Sequence, residues 1–165
     1  MKTILTPNKA HYTDITLHTR IRHDIPNSQS HEFHSYEKRL FLELEGKFSK
    51  AVFREPPNPI YNCHGLIFAS RRTGITNNNA LQTILHDDGY QEITPADVLP
   101  GDIILYYYED GDVEHSGVVI SKPDSQLRIP WVLSKWGRFK EVVHYANDCP
   151  YDFSYFRYYR VTKWD

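Results

Sequence analysis

Asn62-Cys63-His64-Gly65-Leu66 and His115-Ser116-Gly117-Val118-Val119 are the two stretches of this chain whose residue types can do chemistry together. The first opens an apolar segment that reads as a helix, with Cys63 at its start. Unpaired N–H groups and the helix dipole at such a position favour the thiolate, which is the reactive form of cysteine. The second reads as a buried strand led by a histidine. An imidazole facing the thiol takes its proton or holds it as an ion pair. The expected chemistry is attack of Cys63 on an amide carbonyl, with His115 as general base and then as acid to the leaving amine.

Neighbouring residues extend this candidate site. Asn62 can cap the helix through its side-chain oxygen. The hydroxyl of Tyr61 can act near a developing oxyanion, with the Cys63 N–H as the other donor, or Tyr61 can pack as an ordinary aromatic. His64 follows Cys63 on a helix, where adjacent residues do not share a face, so a structural or substrate-lining place is expected. Trp136 with Gly137 lines a substrate cleft or fills the core. Asp102 is expected to cap the turn before its strand.

The elements that must position these residues are legible in outline. Residues 1–35 form a polar N-terminal arm with five histidines, His11, His18, His23, His31 and His34, whose spacings match no metal-ligand pattern. Weak alternation over 11–21 permits a strand. Leu40, Leu44 and Phe48 recur every fourth residue, so 36–50 reads as a helix. The Glu-Pro-Pro-Asn-Pro run at 55–59 breaks regular structure before the helix of Cys63, and Gly74 after Arg71-Arg72 is its expected stop. A further helix is expected over 79–86 and a short proline-led turn over 94–97. From Leu99 the pattern changes to strands over 103–108, 114–121, 128–135, 139–144 and 155–161. Helices first and an antiparallel meander afterwards make an α+β domain, with the whole of 1–165 as one unit.

Composition bounds the function. The chain has 165 residues, enough for one domain with a sizeable core, and 40% hydrophobic and 24% charged residues are ordinary for a globular protein. A formal net charge of −2 supplies no field for nucleic acid. The 12 tyrosines favour strands and suit a groove for extended polar substrates. Two cysteines, Cys63 and Cys149, are too few for a disulfide framework. No segment reaches transmembrane length, and the N-terminus lacks a signal-type apolar run. Cytoplasmic synthesis is expected, with any action outside the cell requiring a specialised secretion system or lysis.

In their order along the chain, Asn62-Cys63-His64-Gly65-Leu66, Pro100-Gly101-Asp102-Ile103-Ile104 and His115-Ser116-Gly117-Val118-Val119 resemble the motifs of papain-like cysteine hydrolases of the NlpC-type peptidase and CHAP amidase kind. The resemblance covers about residues 60–145. It implies a papain-like fold, with N-terminal helices packed on an antiparallel sheet of about five strands, and a catalytic Cys63 and His115. It also implies a third catalytic residue on the strand after the base, where Ser134 or Lys135 stands, or His144 on the next strand. His64 departs from the small residue usual after the cysteine.

The implied reaction is hydrolysis of an amide through a thioester, without a cofactor. Peptidoglycan stem peptides are the first substrate class, in the manner of a lysin or toxin, and an immunity or inhibitor protein is then an expected partner. A protein-directed protease or deamidase effector shares the chemistry. Two other classes compete: a non-catalytic binding module of the same fold, and a zinc protein drawing on Cys63, His64, His115, His144 or Cys149. Diverging side chains at 63 and 64 and the lack of a Cys-x-x-Cys pair argue against zinc, so no metal ligand is assigned.

Overall fold

The structure, a computed structural model, describes residues 12–123, 126 and 128–162. Two short strands, β1 (Tyr12–Thr13) and β2 (Gln29–Ser30), pair with each other and precede helix α1 (Ser35–Lys47). Then follow β3 (Val52–Phe53), α2 (Cys63–Phe68), α3 (Asn78–Asp87), β4 (Tyr90–Ile93) and a 3-10 turn at Pro95–Asp97. The meander β5 (Ile103–Tyr107), β6 (Val113–Val119), β7 (Trp131–Trp136) and β8 (Lys140–Tyr145) comes next, and β9 (Tyr155–Val161) closes the chain.

The domain is α+β, with 3 helices, one 7-stranded antiparallel sheet ordered β3-β8-β7-β6-β5-β9-β4, and the separate 2-stranded pair. The five expected strands are β5 to β9. The two extra strands are the sheet edges, β3 of 2 residues and β4 of 4. Pieces that short carry too little alternation to be read from sequence. Among the described residues no helix is long and apolar enough to cross a membrane.

Both faces of the sheet centre are covered, which is why all five residues of β5 are buried. On one face Ile103, Leu105 and Tyr107 pack with Ala69, Leu81 and Ile84 from the segment around α2 and α3. On the other, Ile104, Tyr106, Val119 and Val132 pack with Val98 and Tyr158. Burying each large apolar side chain contributes about 1.5–3 kcal/mol. Helix α1 docks through Phe41 and Phe48 onto Trp136 and Phe139. Leu40, part of the expected apolar stripe, is 45% exposed, so Phe41 is the true anchor. Tyr61, Tyr106, Tyr107 and Tyr158 are buried in the core.

Two expected boundaries shift. Helix α2 ends at Phe68, well before Gly74, because Ser70 and Arg71 take positive φ of 48° and 67° and turn the chain away. The arm is docked on the domain: Leu17 and Ile25 enter the core, and the expected strand at 11–21 reduces to β1 and a His18–Asp24 bridge, with His11 outside the described residues. The buried Asp87 carboxylate at the end of α3 holds the arm. It accepts from Thr19 Oγ1 and from His23 Nδ1, both at 2.7 Å, and from His86 Nδ1 at 3.0 Å. These bonds, His86 foremost, hold its acid down at about 2. Asp87→Asn is expected to loosen the arm, so that trypsin cleaves at Arg20 and Arg22 at lower protease dose than in the parent. An unchanged cleavage pattern would show that the apolar anchors suffice.

Candidate active site

Helix α2 places Cys63 as its first residue. Asn62 sets that start: its Oδ1 accepts from Gly65 N–H and from Ile75 N–H, each at 3.0 Å, and its Nδ2 donates to Ile75 O at 2.6 Å. The expected cap is present. The same three bonds hold the side chain, so Asn62 positions the start of the helix. Gly65 lets the following loop cross close over α2, since a Cβ there would lie 1.8 Å from Thr73 O.

The helix lies across β6 and β7, where the sheet is split. Pairing of these strands runs from Val119↔Val132 to Gly117↔Ser134 and stops, although β6 continues to His115 and β7 to Trp136. Val119 N–H donates to Asp102 O on the β5 side, and Ile120 N–H donates to Trp131 O on the β7 side. Alternation along an antiparallel strand therefore aims Ser116 N–H toward β7, just beyond the last pair. The Cys63 sulfur lies at the mouth of the split, with the Ser116 N–H and hydroxyl beside it favouring its thiolate form.

Burial decides the thiol's acidity. Desolvation pushes Cys63 up to about 11, outweighing the Ser116 N–H and hydroxyl that favour the thiolate. A lowered value from the helix start does not materialise, because α2 is only 6 residues long and the sulfur is shut away from water. Cys63 and Cys149 are both free thiols.

Successive residues of a strand face opposite ways. Ser116 Oγ meets His64 Nδ1 at 2.9 Å, so Ser116 faces α2. His115 therefore faces away from α2, opposite Tyr106, with its ring stacked on Tyr151 at 3.9 Å. The expected Cys63–His115 pair is not formed: both ring nitrogens of His115 are buried without a partner, and burial holds the imidazole neutral, well below its usual range. The Trp136 indole N–H is likewise buried and unpartnered. Continuing the register from Gly117↔Ser134 sets His115 across from Trp136. All three orphaned side-chain atoms among the described residues thus flank the same split. Each costs roughly 1–3 kcal/mol unless something occupies it.

The expected third catalytic residues are engaged elsewhere. His144 Nδ1 lies 2.8 Å from the Tyr145 carbonyl and must donate to it, so Nε2 accepts from Ser134 Oγ at 2.7 Å. Burial lowers His144 to about 4. Neither Ser134 nor His144 orients His115. Lys135 shares the α2 side of the sheet with Ser116. Its ammonium donates to Asn58 O and, at 2.7 Å, to Phe139 O, and it sits 4.3 Å from the centre of the Tyr61 ring. It ties the proline-rich 55–59 loop to the β7–β8 turn. Tyr61 donates its hydroxyl to Glu141 Oε1 at 2.7 Å, and burial first, then Glu141, push it to about 12, so it is no free oxyanion donor. Glu141 also accepts from Arg71 at 2.6 Å and Arg54 at 3.1 Å. Trp136 packs against Phe48 and Phe53 and is a core residue with one unspent donor. Asp102 caps its turn as expected, accepting from Leu99 N–H at 2.7 Å.

Burial pushes the Lys135 amine down to about 7. A lowered lysine contributes stability above its unfolded value near 10.5 and loses it as pH falls through 7. Lys135→Met is expected to flatten the pH dependence of the urea midpoint between pH 10 and 7, and to remove a donor from Asn58 O at a cost of about 1–3 kcal/mol. Parallel curves for parent and variant would contradict it.

Sequence reasoning missed Ser116, the residue that meets the thiol. Its signal was the period-2 alternation of β6, which sets Ser116 and His115 on opposite faces. Which face receives α2 was not readable. It also missed Glu141, whose neighbours Tyr61, Arg54 and Asn58 border an opening of about 210 Å³ near the start of α2. A cleft of about 1180 Å³ runs along 93–99 with Lys122, Arg128 and Arg160 and includes none of these residues. No group of three or more His, Cys, Asp or Glu side chains among the described residues could hold a metal ion. His64 and His115 face opposite sides of the sheet, so the competing zinc set does not converge as a single site. Comparisons of the chain with protein-family models, with curated proteins and with solved structures found no match in any of the three.

Proposed function

We propose that this chain is a papain-like cysteine hydrolase, with Cys63 as nucleophile, that cuts an amide in peptidoglycan stem peptides as a toxin or lysin would. One observation carries the reading. The Cys63 sulfur lies at the mouth of a split in the sheet whose other side is lined by a neutral histidine with two unspent nitrogens and an indole with an unspent donor. Buried orphan groups are rare in native proteins, and a catalytic role is one explanation for them. Attack of Sγ on the amide carbon, with the thiol proton passing to a neutral imidazole of the site, forms a tetrahedral oxyanion, for which the Trp136 N–H is an available donor. Collapse returns that proton to the leaving nitrogen, expels the amine and leaves a thioester on Cys63. Water, deprotonated by the neutral His115, then attacks the thioester and releases the acid and the thiol. A substrate reaches the sulfur only when the split opens, so the closed form is the resting state.

A second reading has its own observation. A thiol raised to about 11 and almost wholly buried also fits a non-catalytic module of the same fold. Incubation with purified muropeptides, with released amine groups read by mass spectrometry, separates the two. New termini that need Cys63 support the hydrolase. Intact muropeptides favour the module.

A further inference from the structure

We infer that Tyr151 is a gate over a binding site for a planar amide, and that its ring and hydroxyl hold the place taken by a peptide group of the substrate. This rests on the cysteine-hydrolase reading, and it names the group that the site recognises and the residue that admits it.

Tyr151 spans the split. Its ring stacks on His115, on the β6 lip, with centroids 3.9 Å apart and planes 17° from parallel. Its hydroxyl accepts at 2.7 Å from the N–H of Gly137, the residue directly after β7. One side chain thus touches both lips. It also packs against the cluster that holds Trp136 and Phe139. His115 is wholly buried, whereas Tyr151 reaches the surface. The tyrosine therefore stands on the outer side of the imidazole.

The segment that carries Tyr151 is tied at its ends. The Ala146 carbonyl accepts from the Tyr106 hydroxyl at 2.7 Å, and Ala146 N–H donates to Pro130 O at 3.0 Å. Ser154 N–H donates to Tyr107 O at 2.8 Å. Residues 147–153 between them form neither helix nor strand, and none of them is fully buried. Cys149 and Phe153 pack partly against the core, and the Tyr151 hydroxyl is the latch onto the β7 lip. Segments with few buried contacts open at low cost in free energy.

The groups beneath the ring define what replaces it. When Tyr151 swings out it frees Gly137 N–H, and the indole N–H of the preceding Trp136 has no partner even in the closed form. His115 offers a flat face and, being neutral, one donor and one acceptor nitrogen, both unpartnered. A ligand that satisfies this set is planar, brings an acceptor oxygen to the N–H groups of Trp136 and Gly137, and brings an N–H to the imidazole. A peptide amide does all three. A carboxylate lacks the donor, and a sugar ring lacks the plane. The substrate carbonyl then takes the place of the Tyr151 hydroxyl, which makes Gly137 a positioning residue through its N–H.

The test is acylation of His115 by diethyl pyrocarbonate, a reagent for neutral imidazole, read by peptide mass spectrometry in the parent and in Tyr151→Phe. Phenylalanine keeps the ring and removes only the latch. A hydrogen bond of typical net strength changes the open fraction by about fivefold. His115 labelling is expected to rise by that factor in Tyr151→Phe, with His144, also buried, unchanged as the internal control. KM for muropeptides should fall by a similar factor in the same variant, because the ring competes less with substrate, whereas a packing defect would raise it. In Cys63→Ala/Tyr151→Phe, which binds without cutting, muropeptides or N-acetyl-trialanine amide should protect His115. Equal His115 labelling in parent and Tyr151→Phe, or a rise shared with His144, overturns the gate. Protection by neither probe overturns the amide site. Protection by the alanine peptide alone supports the site and moves its substrate from cell wall to protein. A gated and protected His115 in a parent that cuts neither probe leaves the gate standing and ends the hydrolase reading.

Discussion

Cys63→Ala is expected to reduce amide hydrolysis to the background rate, a loss on the order of 10⁴-fold or more. Cys149, the second cysteine, lies in the packing around Trp136 and Tyr106 on the other side of the sheet. The effect on folding should be small by comparison. The substitution removes one buried sulfur from beside the Ser116 N–H, for roughly 1–3 kcal/mol. Turnover of muropeptides and urea unfolding, measured on the same preparations, separate the two effects. Full activity in a folded Cys63→Ala protein would end the cysteine-hydrolase reading, and a matched loss in Cys149→Ser would move the nucleophile to the other face.

Gly65→Ala is expected to be the most damaging single methyl addition in the domain. The new Cβ would stand 1.8 Å from Thr73 O and 2.9 Å from its carbonyl carbon, and backbone cannot swing aside as a side-chain tip can. Either α2 or the 70–75 loop must move. Both are tied to Asn62, which bonds Gly65 N–H at one end and Ile75 at the other. Overpacking of a tight site costs about 1–3 kcal/mol and occasionally more, and here the loss of the Asn62 bonds adds to it. We expect a urea midpoint well below that of the parent and, in whatever protein remains folded, slower alkylation at Cys63 because its position against Ser116 is lost. Gly46→Ala is the control. Nothing lies within 4 Å of its added methyl, and alanine in a helix interior is favourable. Equal midpoints for the two variants would show that the loop repacks without penalty.

Much of the scaffold was readable because it rests on local rules. The change from fourfold apolar spacing to period-2 runs after Leu99 located the meander, and Gly101 at φ +97° with the Asp102 cap makes the turn that opens it. Asn62 before an apolar run marked the start of α2 to the residue, since only a short polar side chain there can take up Gly65 N–H. The end of α2 was not readable: positive φ at Ser70 and Arg71 answers to the loop's path under Asn62 and not to any local preference of those residues.

The site divides along the same line. The sequence by itself determined that a cysteine begins a helix, that a buried strand led by a histidine follows, and that helix and strand belong to one α+β domain. Only the tertiary structure decided which side of that strand meets the thiol. Alternation assigns His115 and Ser116 to opposite faces but cannot label the faces. In β6 both are buried, so no polar edge breaks the tie as it would in a half-exposed sheet. The partners of Tyr61, Ser134, Lys135 and His144 were hidden for a related reason. Each is bound to a group distant in sequence or across a strand pair, and a buried polar side chain declares its role only through the partner that compensates its burial.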